Sequence, residues 1–363
     1  MSSICGQVTG LDDKTYWEGF SRSVLHQRVP FSGSLALTHR CNLRCPHCYA
    51  RGENQEQAAS ELDTAQWRRI IGEIKDAGCL YLLLTGGEPR LRDDFLESYS
   101  LAKRIGFLVT VFTNGTLISD RVLGLFRELP PRLVEISLYG ASAETHDRVT
   151  GVPGSFGRTH QGIERLLGQG VEVGLKSVLM TLNRDEFSAM GEFARGLGVK
   201  FRVDAAIFPT LAGDPGPIDL RVSPEQAVAV EMADPQRARE WREYADNFRL
   251  VPYGGMAFAC SAGRTNFHVD PDGMLYPCLV VRSFRYSLRT GSFAHGWDHE
   301  IARIREESAA PGFRCARCDK RLLCGFCPGF FELEHGRSQV PSDYLCAVGE
   351  LRHEYISNMR SGG

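Results

Sequence analysis

Ten of the twelve cysteines in this chain fall into two groups. Three stand in Cys41-Asn-Leu-Arg-Cys45-Pro-His-Cys48, a C-x-x-x-C-x-x-C spacing. Seven follow much later, at Cys260, Cys278, Cys315, Cys318, Cys324, Cys327 and Cys346. Of the two that stand apart, Cys79 reads as a small buried hydrophobe and Cys5 as incidental. Clustered thiols in a reducing compartment point to metal rather than to disulfides. Three thiolates can hold three irons of a cubane and leave the fourth iron open to a substrate or cofactor. A structural zinc site takes four ligands, and His39 or His47 could complete one around the same thiols. The later pairs, Cys315-x2-Cys318 and Cys324-x2-Cys327, would also suit a zinc ribbon. Spacing alone leaves both metals standing.

Other unusual residues sit just after apolar runs. Gly86-Gly87-Glu88-Pro89 follows Leu80–Thr85, Asn114-Gly115 follows Phe107–Thr113, and Tyr139-Gly140 follows Leu133–Leu138. The cysteine triad itself follows Ser34–Thr38. These runs, with Val171–Met180 and Val199–Val203, read as six strands. Helical stretches lie between them. In Thr64–Ala77, residues Trp67, Ile70, Ile71 and Ile74 fall on one face, and Gly78 is the stop. Strands alternating with amphipathic helices imply a parallel sheet, and the near-continuous apolar runs suggest cover on both faces. The expected fold is α/β, a partial (β/α)6 TIM-like barrel. In such barrels the loops at the C-terminal strand ends build the site, so these motifs should meet at one mouth.

The triad, with His47 where an aromatic residue precedes the last cysteine, resembles the signature of the radical S-adenosylmethionine (SAM) superfamily. Gly86-Gly87-Glu88-Pro89, Thr113-Asn114-Gly115 and Glu135-Ile-Ser137-Leu-Tyr139-Gly140 resemble further family segments, in order. The resemblance implies a 4Fe–4S cluster on Cys41, Cys45 and Cys48 whose open iron binds SAM. One electron then cleaves SAM to methionine and a 5′-deoxyadenosyl radical, which takes a substrate hydrogen atom. It also implies SAM contacts at His47, Gly86, Gly87, Glu88, Pro89, Asn114 and Ser137, with the Glu88 carboxylate on the SAM amine. Thr145-His146-Asp147-Arg148 resembles the segment that sets an arginine on the SAM carboxylate, which makes Arg148 a candidate. Lys176, Ser177 and Arg202 are inward-facing candidates on the fifth and sixth strands.

The seven later cysteines, with Gly273-x4-Cys278, resemble the SPASM extension of these enzymes, a small Cys-rich auxiliary-cluster domain. This implies two auxiliary 4Fe–4S clusters. Cys315, Cys318, Cys324 and Cys346 would hold the outer one; Cys260, Cys278 and Cys327 the inner one. Two residues separate Cys324 from Cys327, where the family pattern has three. No extra cysteine lies between Cys260 and Cys278, so the inner cluster would have three thiolates and an open site.

The expected organisation is a lead-in over 1–33, the barrel over 34–208, a linker and bridging helix over 209–255, the SPASM domain over 256–350 and a tail over 351–363. Within the SPASM domain, Asp270-Pro271-Asp272-Gly273 reads as a hairpin turn between Thr265–Val269 and Met274–Pro277. A net charge of -2, with both signs well mixed, gives no nucleic-acid or acidic-lipid footprint. The start, Met1-Ser2-Ser3-Ile4, has no basic n-region, and the longest apolar run, Cys79–Leu84, is too short to span a membrane. A cytoplasmic enzyme is expected.

SPASM-bearing enzymes often modify ribosomally made peptides by crosslinking, epimerisation or oxidation. That is the first expectation of function. The lead-in is too short for a recognition domain, so a separate recognition protein would be needed. A flavodoxin or ferredoxin is the expected reductant. Radical oxidation or rearrangement of a small metabolite, such as a sugar or alcohol, is the alternative. A non-catalytic iron–sulfur or zinc protein would explain the cysteines but not Glu88 or the post-strand motifs.

Overall fold

The computed structural model describes residues 19–20, 23–50, 60–247 and 255–361. Tyr16, Trp17 and Cys5 of the expected lead-in lie outside them. One nine-stranded sheet organises the rest, in the order β6-β5-β4-β3-β2-β1-β7-β8-β9. Strands β1 (Ser32–Ala36), β2 (Tyr81–Thr85), β3 (Leu108–Thr113), β4 (Leu133–Ser137), β5 (Val173–Val178) and β6 (Lys200–Asp204) pair in parallel. The connecting helices are α1 (Thr64–Asp76), α2 (Phe95–Arg104), α3 (Asp120–Glu128), α4 (Ala143–Thr150), α5 (Ser155–Leu167) and α6 (Phe187–Gly196). This is the partial (β/α)6 barrel that the alternating pattern implied.

Helix α1 shows how local sequence fixes an element. Asp63 caps it: its carboxylate accepts the Gln66 N–H at 2.7 Å while the Gln66 side chain accepts the Asp63 N–H at 2.9 Å. Trp67, Ile70, Ile71 and Ile74 are wholly buried against the sheet. Each such aliphatic side chain contributes about 1.5–3 kcal/mol of burial. Gly78, at φ +89°, ends the segment where a side chain would be strained.

The strands differ from the expectation of continuous burial. In β1, β2 and β4 burial alternates along the chain. Leu35, Leu82, Leu84, Val134 and Ile136 form the helix-covered core. The other face carries Ser34, Ala36, Glu135 and Ser137, which are only partly buried. Six strands do not close a barrel, so the inner face lines a cleft rather than a packed interior.

The cysteine-rich region continues the same sheet. Strand β7 (Asn266–Val269) runs parallel to β1 on its free side, with Ser34 opposite His268. Strands β8 (Met274–Tyr276) and β9 (Tyr286–Ser287) follow in antiparallel. The turn between β7 and β8 is the expected one, with Gly273 at φ +86° and its N–H on the Asp270 carbonyl at 3.0 Å.

Two helices replace the single bridging helix expected over 209–255: α7 (Pro224–Ala233) and α8 (Pro235–Asn247). Pro235 restarts the chain after Asp234, because proline disfavours a helical residue before it and lacks the N–H to continue the ladder. Helices α9 (Pro328–His335) and α10 (Asp343–Ser361) complete the described fold, and α10 crosses residue 350 without a break. Arg352 of α10 donates to both Glu231 carboxylate oxygens, at 2.8 and 2.6 Å, and to the Leu323 carbonyl at 2.6 Å. Its guanidinium also stacks 4.2 Å from the Trp241 ring. This buried pair locks α7, α8 and α10 beside Cys324. Among the described residues no helix is long and apolar enough to cross a membrane.

Candidate functional site

The loop after β1 carries the first thiols, and its base is fixed by buried charge. The Thr38 hydroxyl and the His39 N–H donate to Glu61 at 2.7 and 2.9 Å. Arg92, also buried, donates to the Leu37 and Leu62 carbonyls, both at 3.0 Å, and pairs with Asp94 at 2.7 Å. Above this base, the Leu43 N–H donates to the Cys41 sulfur at 3.4 Å and the Cys48 N–H to the Cys45 carbonyl at 3.2 Å. Burial pushes the Cys41 thiol up to about 11, and Glu88 and Cys48 push the same way. Cys45 is pushed further by burial and by the Cys48 and Cys41 thiols beside it. Burial therefore favours the thiol form of Cys41 and Cys45 in the protein alone. Their chemistry fits a cationic iron cluster, which would stabilise all three as thiolates.

The β2 loop lies directly on the cysteine loop. The Gly87 N–H donates to the Thr38 carbonyl and the Glu88 N–H to the Arg40 carbonyl, both at 2.8 Å. A Cβ on Gly87 would stand 2.3 Å from the Arg40 oxygen. Only glycine permits that approach. Glu88 is wholly buried and caps a short turn beginning at Pro89. Its carboxylate accepts the Thr113 hydroxyl at 2.9 Å, the Asn114 N–H at 2.8 Å and the Arg90 N–H at 3.1 Å. Burial raises its pKa, and these donors oppose the rise. Glu88 thus ties the β2 loop to the β3 loop, and it is the Gly86–Gly87 segment that lines the adjoining cavity.

Asn114 extends the tie to the thiols. Its amide donates to the Asn42 side chain at 2.8 Å, and its oxygen accepts the Thr116 N–H and hydroxyl at 2.9 and 2.7 Å. Tyr139, just past β4, is half-buried beside all three thiols and hydrogen-bonded by Ser137. Burial first, and Cys45 next, raise its phenol. The His47 ring meets Tyr139 edge-on at 4.7 Å. Burial lowers His47 to about 4, so the imidazole is neutral.

The structure thus gathers Cys41, Cys45, Cys48, His47, Gly86, Gly87, Glu88, Pro89, Asn114 and Ser137 at one mouth. It does not bring Arg148 to them. Helix α4 buries Thr145, His146, Val149 and Thr150, so Arg148 falls on the outer face. It is exposed and donates to the Leu182 carbonyl at 2.8 Å. The resemblance in that segment belongs to the helix start, which Glu186 clamps through the Ala141 N–H at 2.7 Å and the Thr145 hydroxyl at 2.7 Å.

The three inward candidates separate by strand period. Lys176 and Arg202 are register partners on the cleft side, whereas Ser177, one residue on, is buried against the helices. The Lys176 amine lies 3.1 Å from the centre of the Phe112 ring, and Arg202 pairs with Glu135 at 2.8 Å. Burial pulls Lys176 down to about 7.

The later cysteines divide into two neighbourhoods. Burial raises the Cys278 thiol to about 12, with Cys327 and Cys260 pushing the same way. Burial likewise raises Cys324 to about 12, with Cys346, Cys315 and Cys318 as its neighbours. These last four line one recess with Phe331 and Leu345. Cys327 caps α9, its sulfur accepting the Phe330 N–H at 3.4 Å. Among the described residues no set of ligating side chains converges on a single-ion position. A cubane makes no such demand, since each thiolate goes to a different iron. Cys79 is buried in the core with its S–H toward the Tyr81 carbonyl at 3.3 Å.

Tyr139 and Asn42 lie inside sequence motifs, but their roles became visible only in the structure. So did those of His268 and Asp270, which line the cavity beside Gly86 and Gly87. His268 reads as one residue of a short strand and Asp270 as the first of a hairpin turn.

Residues 35–194 match the Radical SAM superfamily model. An AdoMet-dependent heme synthase of Oleidesulfovibrio alaskensis is 33% identical over 318 residues, 80% of this chain and 80% of that relative. The PqqA peptide cyclase of a Methylobacterium species is 30% identical over 253 residues, 68% of this chain and 66% of that relative. In fold, the chain is similar to SuiB of Streptococcus suis, solved with the precursor peptide SuiA: TM-score 0.69, 16% identity, covering 95% of this chain and 83% of that one. The barrel, the thiols at its mouth and the Cys-rich extension are those of an enzyme class that works through an iron–sulfur cluster and SAM. The chain belongs to the radical SAM superfamily and carries the SPASM type of C-terminal region.

Proposed function

We propose that this enzyme modifies a ribosomally made peptide by crosslinking, epimerising or oxidising it. The carrying observation is the division of ten cysteines into sets of three, three and four, the first at the barrel mouth. The similarity to a peptide cyclase supports a peptide as substrate. In this reading Cys41, Cys45 and Cys48 hold the 4Fe–4S cluster, which when bound supplies the electron that cleaves SAM. Gly86 and Gly87 offer close backbone to the SAM methionine, and Ser137 and Asn114 border the same space. Glu88 acts through position, holding the β2 and β3 loops to the cysteine loop. Tyr139 and His47 wall the thiols from water and stay neutral.

The outer thiols, Cys315, Cys318, Cys324 and Cys346, suit a closed auxiliary cluster. Cys260, Cys278 and Cys327 suit one with an open iron. The barrel is taken as 34–208 and the auxiliary region as 256–350. A cytoplasmic location, a flavodoxin or ferredoxin reductant and a separate peptide-recognition protein complete the reading.

Anaerobic reconstitution, followed by SAM, reductant and a candidate precursor peptide, tests it. A peptide two mass units lighter marks oxidation or crosslinking; deuterium uptake without other mass change marks epimerisation. An unaltered peptide in well-loaded enzyme that cleaves SAM rejects it. The second reading is oxidation of a metabolite that is not a peptide. The 33% identity to a heme synthase favours it and makes a tetrapyrrole the substrate to try next.

A further inference from the structure

A hydrogen-bonded chain of side chains stands in the same cleft and takes no part in the roles assigned above. Ser34 of β1 and His268 of β7 are opposite each other in the parallel register and point to the cleft side. The Ser34 hydroxyl lies 2.7 Å from Nδ1 of His268, and Nε2 of His268 lies 2.8 Å from Oδ1 of Asp270. Arg282 grips both Asp270 oxygens and stacks 3.6 Å from the Tyr276 ring. His268 and Asp270 line the cavity beside Gly86 and Gly87.

We propose that Ser34, His268 and Asp270 form an acid–base relay that accepts the proton a substrate radical loses on oxidation. The proposal rests on the substrate-modifying role above.

The protonation pattern follows from the partners. Burial disfavours a charged Asp270, but the hydrogen bond from His268 and the Arg282 guanidinium hold its carboxyl well below the usual carboxylate range. Asp270 is therefore an acceptor only, and Nε2 of His268 carries the hydrogen. Nδ1 then presents its lone pair to Ser34, whose hydroxyl donates. The order is hydroxyl, imidazole, carboxylate, in which a carboxylate orients the ring and stabilises the imidazolium. A hairpin needing only a tie to β1 would not require an ion pair behind an imidazole in a cleft wall. Charged groups this well buried cost more to desolvate than a hydrophobic pair of the same size.

The step balances as follows. The 5′-deoxyadenosyl radical has taken a hydrogen atom, leaving a carbon radical beside an N–H or O–H group, C•–X–H. Ser34 Oγ accepts the X–H proton while its own proton moves to Nδ1 of His268. One electron leaves to an acceptor of the iron–sulfur class, and C=X forms. The substrate has lost one hydrogen atom, one proton and one electron. The imidazolium faces the Asp270 carboxylate and later returns its proton to solvent.

The test uses reconstituted full-length enzyme with a candidate precursor peptide, and measures modified peptide per 5′-deoxyadenosine. In His268→Gln, 5′-deoxyadenosine formation should stay within about twofold of wild type. Product per 5′-deoxyadenosine should fall about a hundredfold, a typical loss for a general base. Peptide recovered unmodified should carry solvent deuterium where the radical was quenched. Ser34→Ala, which removes one hydroxyl and leaves His268 and Asp270 in place, should lower the same ratio about tenfold. An unchanged ratio in both variants, or a parallel fall of cleavage and product, overturns the relay. A wild-type enzyme that leaves the peptide unaltered overturns the peptide reading instead, and the ratio is then read with a tetrapyrrole.

Discussion

The two three-thiol sets make an instructive pair. Cys41, Cys45 and Cys48 come from one octapeptide, on a loop whose neighbours are fixed by backbone hydrogen bonds from Gly87 and Glu88. Cys260, Cys278 and Cys327 come from three separate segments: one before β7, one after β8 and one at the start of α9. The first set is close by covalent spacing, the second only because the sheet and α9 have already packed. A local set can bind iron before the fold is complete, whereas an assembled set must wait for it. The neighbours differ too. Tyr139 and His47 meet beside the first set, while Phe258, Val281 and Ile304 pack with Cys260 and Cys278 of the second.

Replacing Cys41, Cys45 and Cys48 together with alanine should have the largest effect. Formation of 5′-deoxyadenosine should vanish while about four irons per chain are lost and the rest remain. Loss of all iron would make the two sets one cooperative unit and break the comparison. Replacing Cys327 with alanine should do the reverse: SAM cleavage persists, about four irons are lost, and product formation fails. Mössbauer spectra of the intact enzyme should show one iron of the inner set without a thiolate; four thiolates there would remove the parallel with the first set.

Smaller effects test how the mouth is held. Glu88→Ala leaves the Asn114 N–H and the Thr113 hydroxyl without their partner, at a cost of about 2–3 kcal/mol in a denaturant titration. A change in the KM for SAM with no loss of stability would instead put this carboxylate on the cofactor. Glu186 gives a pH signature. Burial opposes its ionisation, but hydrogen bonds from Ser142 and Thr145 hold it down to about 2. Its contribution is therefore full above the ordinary glutamate range and lost as pH falls from about 4.5 toward 2. Glu186→Gln should flatten that part of an acid-denaturation curve. Arg148→Ala should leave the KM for SAM within about twofold of wild type, because the side chain points outward.

Much of this was legible because covalent spacing carried it. The cysteine octapeptide and the amphipathic α1 depend on neighbours within a few residues, whereas the Gly86–Gly87 approach is to Thr38 and Arg40, far back in the chain. The inward facing of Lys176 and the burial of Ser177 were not legible, because one residue of register moves a side chain to the opposite face. Arg148 shows the same limit in helical form: a motif fixes the residue type, but helix phase fixes its direction. The Glu88 carboxylate pointed to a cofactor amine in sequence and to Thr113 and Asn114 in space. His268 and Asp270 were silent because their partners, Ser34 and Arg282, lie on other elements.

The seating of β1 between β2 and β7 has a consequence for how the chain is made. Until the segment from Asn266 to Val269 leaves the ribosome, one edge of β1 has no partner. An unpaired parallel edge is slow to bury and prone to mispairing with other chains. A nascent chain truncated before β7 should thus be held by chaperones or aggregate, even with its first six strands present. The segment that carries β7 is therefore also what gives β1 its second partner, and synthesis of the last third extends the sheet begun in the first.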